Sequence, residues 1–481
     1  MDSGVRDRCI LDPDSRSRKE APRVMTIQRF SAPWCRWLLA TVVCASATEI
    51  GPRAAELAAA RSSIQAADAR RHVSALADDA LEGREGGSRG GRAAGAYIVS
   101  HLETLGLEPA GDNGGYYQSF GGLRNILALA RGSDPAVARE LIVVGAHYDH
   151  VGYGNSGNSY GPFGFVHNGA DDNASGVAGL IEIAEASSKL PVRPRRPILF
   201  AFWDGEEKGL LGSSHFVRVR PAALAALTPV FSVNLDMIGR LRGDRLEVYG
   251  ARTATGLRSS IVQSNNRPGG QPLDLVFDWA IEEDSDHYPF ITARIPTVMF
   301  HTGLHDQYHR PSDDVQLVNF DGIEPVARLT LDFVTTLADA PEPPRAFRDQ
   351  CRGETDATRR SLEMPAAGPA PTTAPPAGGM PPRPRWGIGT RSDPGEPTRP
   401  IVVRVGPGSA ADRGGLQVGD RVVAVDGVDV ASQADLIARL AAAGDAVAVD
   451  IDRKGRIIRV EMRTDTRTDG QADGTVNRGA E

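Results

Sequence analysis

Between residues 364 and 384, eight of 21 positions are proline. Proline fixes φ and lacks an N–H, so this run can be neither helix nor sheet and reads as an extended, semi-rigid linker. Taken from 341 to 384, it divides the 481-residue chain into a large part, 48–340, and a small part, 385–464. An N-terminal extension occupies 1–47. The stretch 465–481, rich in Asp, Thr, Gly and Arg, reads as a disordered tail. So long a linker is enough to let the small part move, although that part could instead pack over the large one as a lid. No repeat of solenoid period is visible.

Residues 37–44, Trp-Leu-Leu-Ala-Thr-Val-Val-Cys, are the strongly apolar run near the start, after Arg29 and Arg36 and before Ala45-Ser46-Ala47. A basic flank, a short apolar run and an Ala-x-Ala exit form the pattern of a Sec signal peptide. The run is too short to span a bilayer, so no transmembrane span is expected in the mature chain. The chain is therefore expected to be exported to the periplasm, cell envelope or medium. A lipoprotein at Cys44 is a minor alternative, because Val43 is a poor small-residue match. A short buried helix or a membrane anchor is the plainer reading. Cleavage after Ala47 takes the net charge from −7 to −10 and leaves Cys351 as the one cysteine. That excludes an intrachain disulfide or a thiolate metal site, and the acidic balance argues against a nucleic-acid partner.

The large part alternates two kinds of segment. Leu141–Ala146, Pro197–Trp203 and Phe231–Leu235 are short apolar runs, as buried strands should be. Residues 89–106 and 175–190 carry apolar residues at helical spacing. Such alternation predicts an α/β domain with a largely parallel central sheet.

Acids and histidines gather where these strands stop. His147, Asp149 and His150 end the first run, Asp204, Glu206 and Glu207 the second, and Asp236 the third. Open α/β sheets form their sites outside the carboxyl ends of strands. Gly169-Ala-Asp-Asp-Asn-Ala-Ser-Gly176 precedes a helix, and Tyr308-His309 follows the run at 298–300. Taken singly, each has a plain reading: a hydrogen-bonded strand-end histidine, an acidic helix N-terminus, a solvated turn. Taken together, imidazoles and carboxylates are the donor set that zinc accepts. Two lookalikes are refused. Gly86-Gly-Ser-Arg-Gly90 has no strand before it, as a nucleophile elbow requires. Gly152-Tyr-Gly-Asn-Ser-Gly157 has no helix after it, as a dinucleotide fingerprint requires.

These motifs, in this order and spacing, resemble the co-catalytic zinc aminopeptidases of peptidase family M28. The resemblance runs from about Leu76 to Thr336 and includes Leu81-Glu-Gly-Arg-Glu and Ser285-Asp-His287. It implies a three-layer αβα sandwich around a mixed, largely parallel sheet, and two Zn²⁺ per chain. His147 and Asp236 would hold one ion, Glu207 and His309 the other, and Asp171 would bridge them together with a water or hydroxide. Glu206 would be the general base, Asp149 would orient His147, and Tyr308 would steady the oxyanion. A cis peptide is expected at Asp171–Asp172. His150, His301 and His305 are placed outside the ligand set, and Asp286 and His287 are placed as lining. The implied activity is removal of N-terminal residues from peptides. A carboxypeptidase or glutaminyl-cyclase-like enzyme, or a non-catalytic peptide-binding protein, is the alternative on this scaffold.

The small part reads as short strands with two helices: Ile401–Val405, a brief helix from Ser409, Gly419–Gly427, a helix Gln433–Ala442, and a hairpin turning at Lys454-Gly455. It resembles a bacterial PDZ domain in Pro-Gly-Ser-Ala-Ala, Leu-Gln-Val-Gly-Asp and Val-Asp-Gly. Trp386-Gly387-Ile388-Gly389 stands where that family's carboxylate-binding loop lies, which implies a peptide C-terminus as partner. The plainer reading is a structural or self-docking module without a peptide ligand. With every implied ligand ahead of the linker, removal of this part is expected to leave hydrolysis of small substrates intact.

Overall fold

The structure is a computed structural model that describes residues 55–364 and 385–464. The signal-like segment, the proline-dense stretch of the linker and the C-terminal tail lie outside the described residues.

The large part is built on a nine-stranded sheet. Its strands are β1 (Glu108–Pro109), β2 (Tyr117–Phe120), β3 (Leu123–Ala130), β4 (Glu140–His147), β5 (Ile198–Trp203), β6 (Thr228–Leu235), β7 (Arg245–Tyr249), β8 (Asp274–Phe277) and β9 (Thr297–His301). The order is β1-β3-β5-β4-β6-β9-β7-β8, with β2 beside β3. The central strands β5, β4, β6 and β9 are parallel, whereas β3 and β7 flank them antiparallel. The central strands read as unbroken apolar runs because both their faces are covered. Successive side chains alternate between two cores. Ile142, Val144 and Ala146 join the layer of helices α1 (Ala66–Leu76), α2 (Arg89–Thr104), α3 (Gly176–Ser188) and α5 (Phe320–Asp339). Leu141 and Val143 join Phe216 and Phe290 on the other side. The domain is thus the three-layer sandwich that its sequence resembles. Ser88, of the refused nucleophile-like pentapeptide, caps α2 by accepting the amide of Gly91.

The C-terminal part is a separate antiparallel sheet. Its strands are β10 (Ile388–Asp393), β11 (Glu396–Val405), β12 (Arg421–Val425), β13 (Val428–Asp429), β14 (Ala446–Arg453) and β15 (Arg456–Arg463), in the order β10-β11-β12-β14-β15 with β13 beside β12. Helix α7 (Gln433–Ala442) closes a core of Trp386, Val402, Leu436, Ile451 and Met462.

This domain is fastened to the large one, as a self-docking module would be, although the linker is long enough to let it move. Helix α4 (Leu257–Asn265) and strand β8 receive it. The buried Arg252 guanidinium bonds Asp393 at 2.7 and 2.8 Å, and Arg421 bonds the same carboxylate at 2.7 Å. Arg258 pairs with Asp452 at 2.7 Å, while its amide and the Ser259 hydroxyl both donate to Glu396. The hairpin turn at Lys454-Gly455 extends the edge of the large sheet, with Leu275 N donating to Lys454 O at 2.8 Å. Gly455 has φ +80° there, and a Cβ on it would fall 2.4 Å from the Leu275 side chain, so the approach needs glycine. The first half of the expected linker also has structure. A 3₁₀ turn (Asp349–Gly353) and helix α6 (Asp356–Glu363) follow the large domain, and Glu354 between them accepts both Arg252 and Arg348.

Candidate metal centre

Five chain segments converge at the carboxyl ends of β4, β5, β6 and β9. His147 is the last residue of β4, and Asp236 follows β6 directly. Glu206 and Glu207 stand in the turn after β5, where Gly205 takes φ +77° and lets both carboxylates face the site. Asp172 comes from the segment before α3, and His309 from the loop after β9.

Two groups of donors result. In the first, His147 Nε2 is 3.4 Å from Asp236 Oδ1 and 3.4 Å from Asp172 Oδ1, with Glu206 close by. In the second, His309 Nε2 is 3.1 Å from Asp172 Oδ2 and 3.1 Å from Glu207 Oε2, with His150 beside them. Asp172 therefore offers one oxygen to each group.

This corrects the bridging assignment by one residue. Asp171 is turned away: its Oδ1 accepts from Ser175 Oγ at 2.9 Å and Gly239 N at 2.6 Å, and its Oδ2 faces His305 Nε2 at 3.2 Å. The backbone sets this register. Asp313 accepts both the Asp171 and Asp172 amides, and Asn173 is held by Leu235 O, Gly176 N and Met237 N. The cis peptide is likewise at Asp172–Asn173, one bond later than expected.

The supporting contacts also differ in part from expectation. His147 Nδ1 lies 3.2 Å from the backbone carbonyl of Asp149, and the Asp149 carboxylate is farther, at 3.9 Å. That carboxylate instead accepts the amide of Glu206 at 3.1 Å. The Ser285 hydroxyl donates to Asp236 Oδ2, leaving Oδ1 toward His147. His309 has φ +51°, unusual for a side-chain-bearing residue. Its carbonyl is tied by Ser159 Oγ at 3.0 Å and Tyr160 N at 3.1 Å, from the loop of the refused dinucleotide-like hexapeptide. Tyr308 stacks on His309 with ring centroids 4.0 Å apart. His301 instead lies 3.7 Å from Glu247 and belongs to neither group.

The electrostatics fit cations. Asp149, Asp172, Glu206, Glu207, Asp236 and Asp286 are all buried or nearly so. Burial, aided by Glu207 and other acids, holds Glu206 well above the carboxylate range in spite of His147. Burial would lift Glu207 too, but His150 and His309 hold it below that range. Burial pushes Asp286 up to about 7. Asp172 Oδ2 is buried with no hydrogen bond of good geometry, although His309 Nε2 is 3.1 Å away. So many buried carboxylates need positive charge, and imidazole with carboxylate is a zinc donor set.

Comparison with known proteins gives the same reading. Residues 125–334 match the model of peptidase family M28, and residues 401–453 match that of a PDZ domain. The chain carries a family M28 peptidase domain joined to a PDZ domain. Aminopeptidase YwaD of Bacillus subtilis is 27% identical over 222 residues, 45% of this chain and 45% of that protein. Leupeptin-inactivating enzyme 1 of Streptomyces exfoliatus is 30% identical over 192 residues, 39% of each. The chain thus spans less than half the length of these curated relatives. The crystal structure of the Legionella pneumophila LapA aminopeptidase shares the fold, with a TM-score of 0.51 at 19% identity, covering 60% of this chain and 75% of that one.

Three contributors to the M28 site escaped sequence reasoning. Arg84, inside the noted Leu81-Glu-Gly-Arg-Glu opening, is buried and donates to the carbonyls of Leu76, Tyr148, Asn168 and Gly169. It ties together the two loops that carry the donors. Asp313 lies four residues after His309, but its hold on the distant Asp171 and Asp172 amides has no local signal. His150 was set aside, yet it touches Glu207. In the PDZ domain, Trp386 is core: its indole N–H donates to Leu440 O. The outer edge of β10 ends the sheet, and Gln433 already donates to its Thr390 carbonyl.

Proposed function

We propose that this chain is an exported, zinc-dependent aminopeptidase with His147, Asp172 and Asp236 at one metal position and Asp172, Glu207 and His309 at the other. The observation that carries this is Asp172 between the two groups, one oxygen to each. Zinc held there would lower the pKa of a water molecule and polarise the scissile carbonyl.

The chain's own residues supply the rest. Glu206 belongs to the first group, but its neighbours His147, Asp172 and Asp236 already furnish that position. Its raised proton affinity suits it to take a proton from the attacking water and pass it to the leaving amine. Asp149 fixes the Glu206 backbone and, through its own carbonyl, the His147 ring. Tyr308 stays protonated, because burial and then the surrounding acids raise its pKa, so its phenol is available as a donor to the developing oxyanion. The acidic wall suits a free α-amine. Export rests on the apolar run 37–44 and its flanks, and among the described residues no helix is long and apolar enough to cross a membrane. The PDZ domain supports peptide binding, with the 386–389 loop and the β10 edge as the place for a chain end.

The test combines metal analysis with a panel of amino-acid anilides and their N-acetylated forms. The expected result is about two zinc per chain and hydrolysis of the free-amine substrates alone. Glu206→Gln should keep the metal and lose at least about 100-fold in kcat, the scale of general acid–base catalysis. One zinc per chain at full activity, or equal turnover of blocked substrates, would overturn the reading.

A further inference from the structure

We propose that His150 is a positioning residue that clamps the outer oxygen of Glu207, so that Glu207 presents a single oxygen to the second metal position. The inference rests on the two-metal reading above and adds to it a residue that the ligand set does not contain.

His150 touches every donor of the second group. Its Nδ1 lies 2.7 Å from Glu207 Oε1 and 3.6 Å from Asp172 Oδ2, and its ring meets the His309 ring edge-on at 5.6 Å. The two Glu207 oxygens are divided: Oε1 goes to His150, and Oε2 lies 3.1 Å from His309. The first group repeats the arrangement, with the outer oxygen of Asp236 taken by Ser285.

Distance separates a clamp from a fifth ligand. Two donors on one tetrahedral zinc, each about 2.0–2.1 Å from it, stand about 3.3 Å apart. The pairs His147–Asp172, His147–Asp236, His309–Asp172 and His309–Glu207 all fall at 3.1–3.4 Å. At 2.7 Å, His150 and Glu207 are instead at the distance of an N–H···O⁻ hydrogen bond. The seat for the ring is built. The His150 amide donates to Arg84 O at 3.2 Å, and Gly169, at φ +54°, leaves room where a Cβ would fall 2.5 Å from the His150 ring. Outer partners of this kind typically change metal affinity 10- to 100-fold when removed.

The experiment titrates metal-free full-length protein with zinc against a chromophoric chelator and reads two dissociation constants. His150→Phe should weaken one step about 10- to 100-fold and leave the other within about threefold. His150→Asn, whose side-chain N–H can sit near the place of Nδ1, should recover most of the loss. In a Glu207→Ala background, His150→Phe should add no further loss. Cooperative melting of each metal-free variant shows that it is folded. Wild-type affinity at both steps in His150→Phe would overturn the clamp while leaving the two-metal centre intact. So would a zinc-loaded crystal structure with His150 Nδ1 bonded to the metal. A wild-type protein that takes up no zinc would instead remove the metal reading itself.

Discussion

At the scale of single residues, Asp171 and Asp172 show how neighbours with the same chemistry divide their work. Asp172 faces both imidazoles, whereas Asp171 receives Gly239 N and Ser175 Oγ and pins the chain behind it. Asp172→Asn should therefore cut zinc uptake at both positions, because it removes the shared charge. Asp171→Asn should keep the zinc stoichiometry and cost about 1 kcal/mol, since its amide oxygen can still accept from Gly239. Metal analysis and urea unfolding of the two variants check this; the reverse pattern would restore Asp171 as the bridge. The sequence pointed to His147, Glu206, Glu207, Asp236 and His309 through strand ends and the resemblance to family M28, and the structure gathers these side chains into the two groups. It could not choose between two adjacent aspartates. That choice depends on a turn fixed by Asp313 from 141 and 142 positions further along the chain. It also hid His150, whose partner Glu207 is 57 positions on.

Among elements, the strands and helices around the site fell close to their expected places because burial on both faces leaves a strong apolar signal. Helix α3, expected at 175–190, spans Gly176–Ser188. What periodicity did not reveal is that α3 buries an acid. Glu182 is 2% exposed, with Oε1 3.7 Å from His72 Nε2 on α1. Burial, with Asp68 and Glu185, pushes its carboxyl up to about 7, while burial and His101 push His72 down to about 4. A raised acid contributes stability that is complete below its unfolded pKa near 4.5 and is lost as pH rises through about 7. The lowered histidine contributes stability that is complete above 6.5 and is lost as pH falls through about 4. Glu182→Gln should therefore stabilise the protein by about 2 kcal/mol at pH 8 and by almost nothing at pH 4.5. Urea unfolding of both proteins at the two pH values measures it, and an equal effect at both would show that the acid is not buried at a cost.

For the whole molecule, the linker leaves the arrangement of the two domains open. A proline-dense stretch says that the chain there is extended, but it says nothing about whether the domains on either side touch. Here the contact runs through charges that no local pattern could pair. Asp393 of the PDZ domain is fully buried between Arg252 and Arg421, and Arg252 also reaches Glu354 and lies over the Trp279 ring at 3.8 Å. The described residues of both domains accordingly belong to one compact unit. Cutting the chain near Gly379 would take away Asp393, Glu396, Asp452 and the Lys454-Gly455 turn together. It would leave Arg252 and Arg258 without these partners and uncover Leu275. Removing one member of a buried pair typically costs about 3–5 kcal/mol. For a domain of this size that corresponds to a fall in Tm of roughly 5–10 °C. None of the proposed metal donors pairs with a residue of the PDZ domain, so turnover of small anilides per folded molecule should survive at low temperature while thermal inactivation speeds up. Arg252→Met in the full-length chain should reproduce part of the loss without any truncation. Melting curves and inactivation half-lives of the three proteins decide the matter. A truncated protein that melts where the full chain does would mean that the PDZ domain is a tethered module after all, and that its buried ion pairs hold only the PDZ side in place.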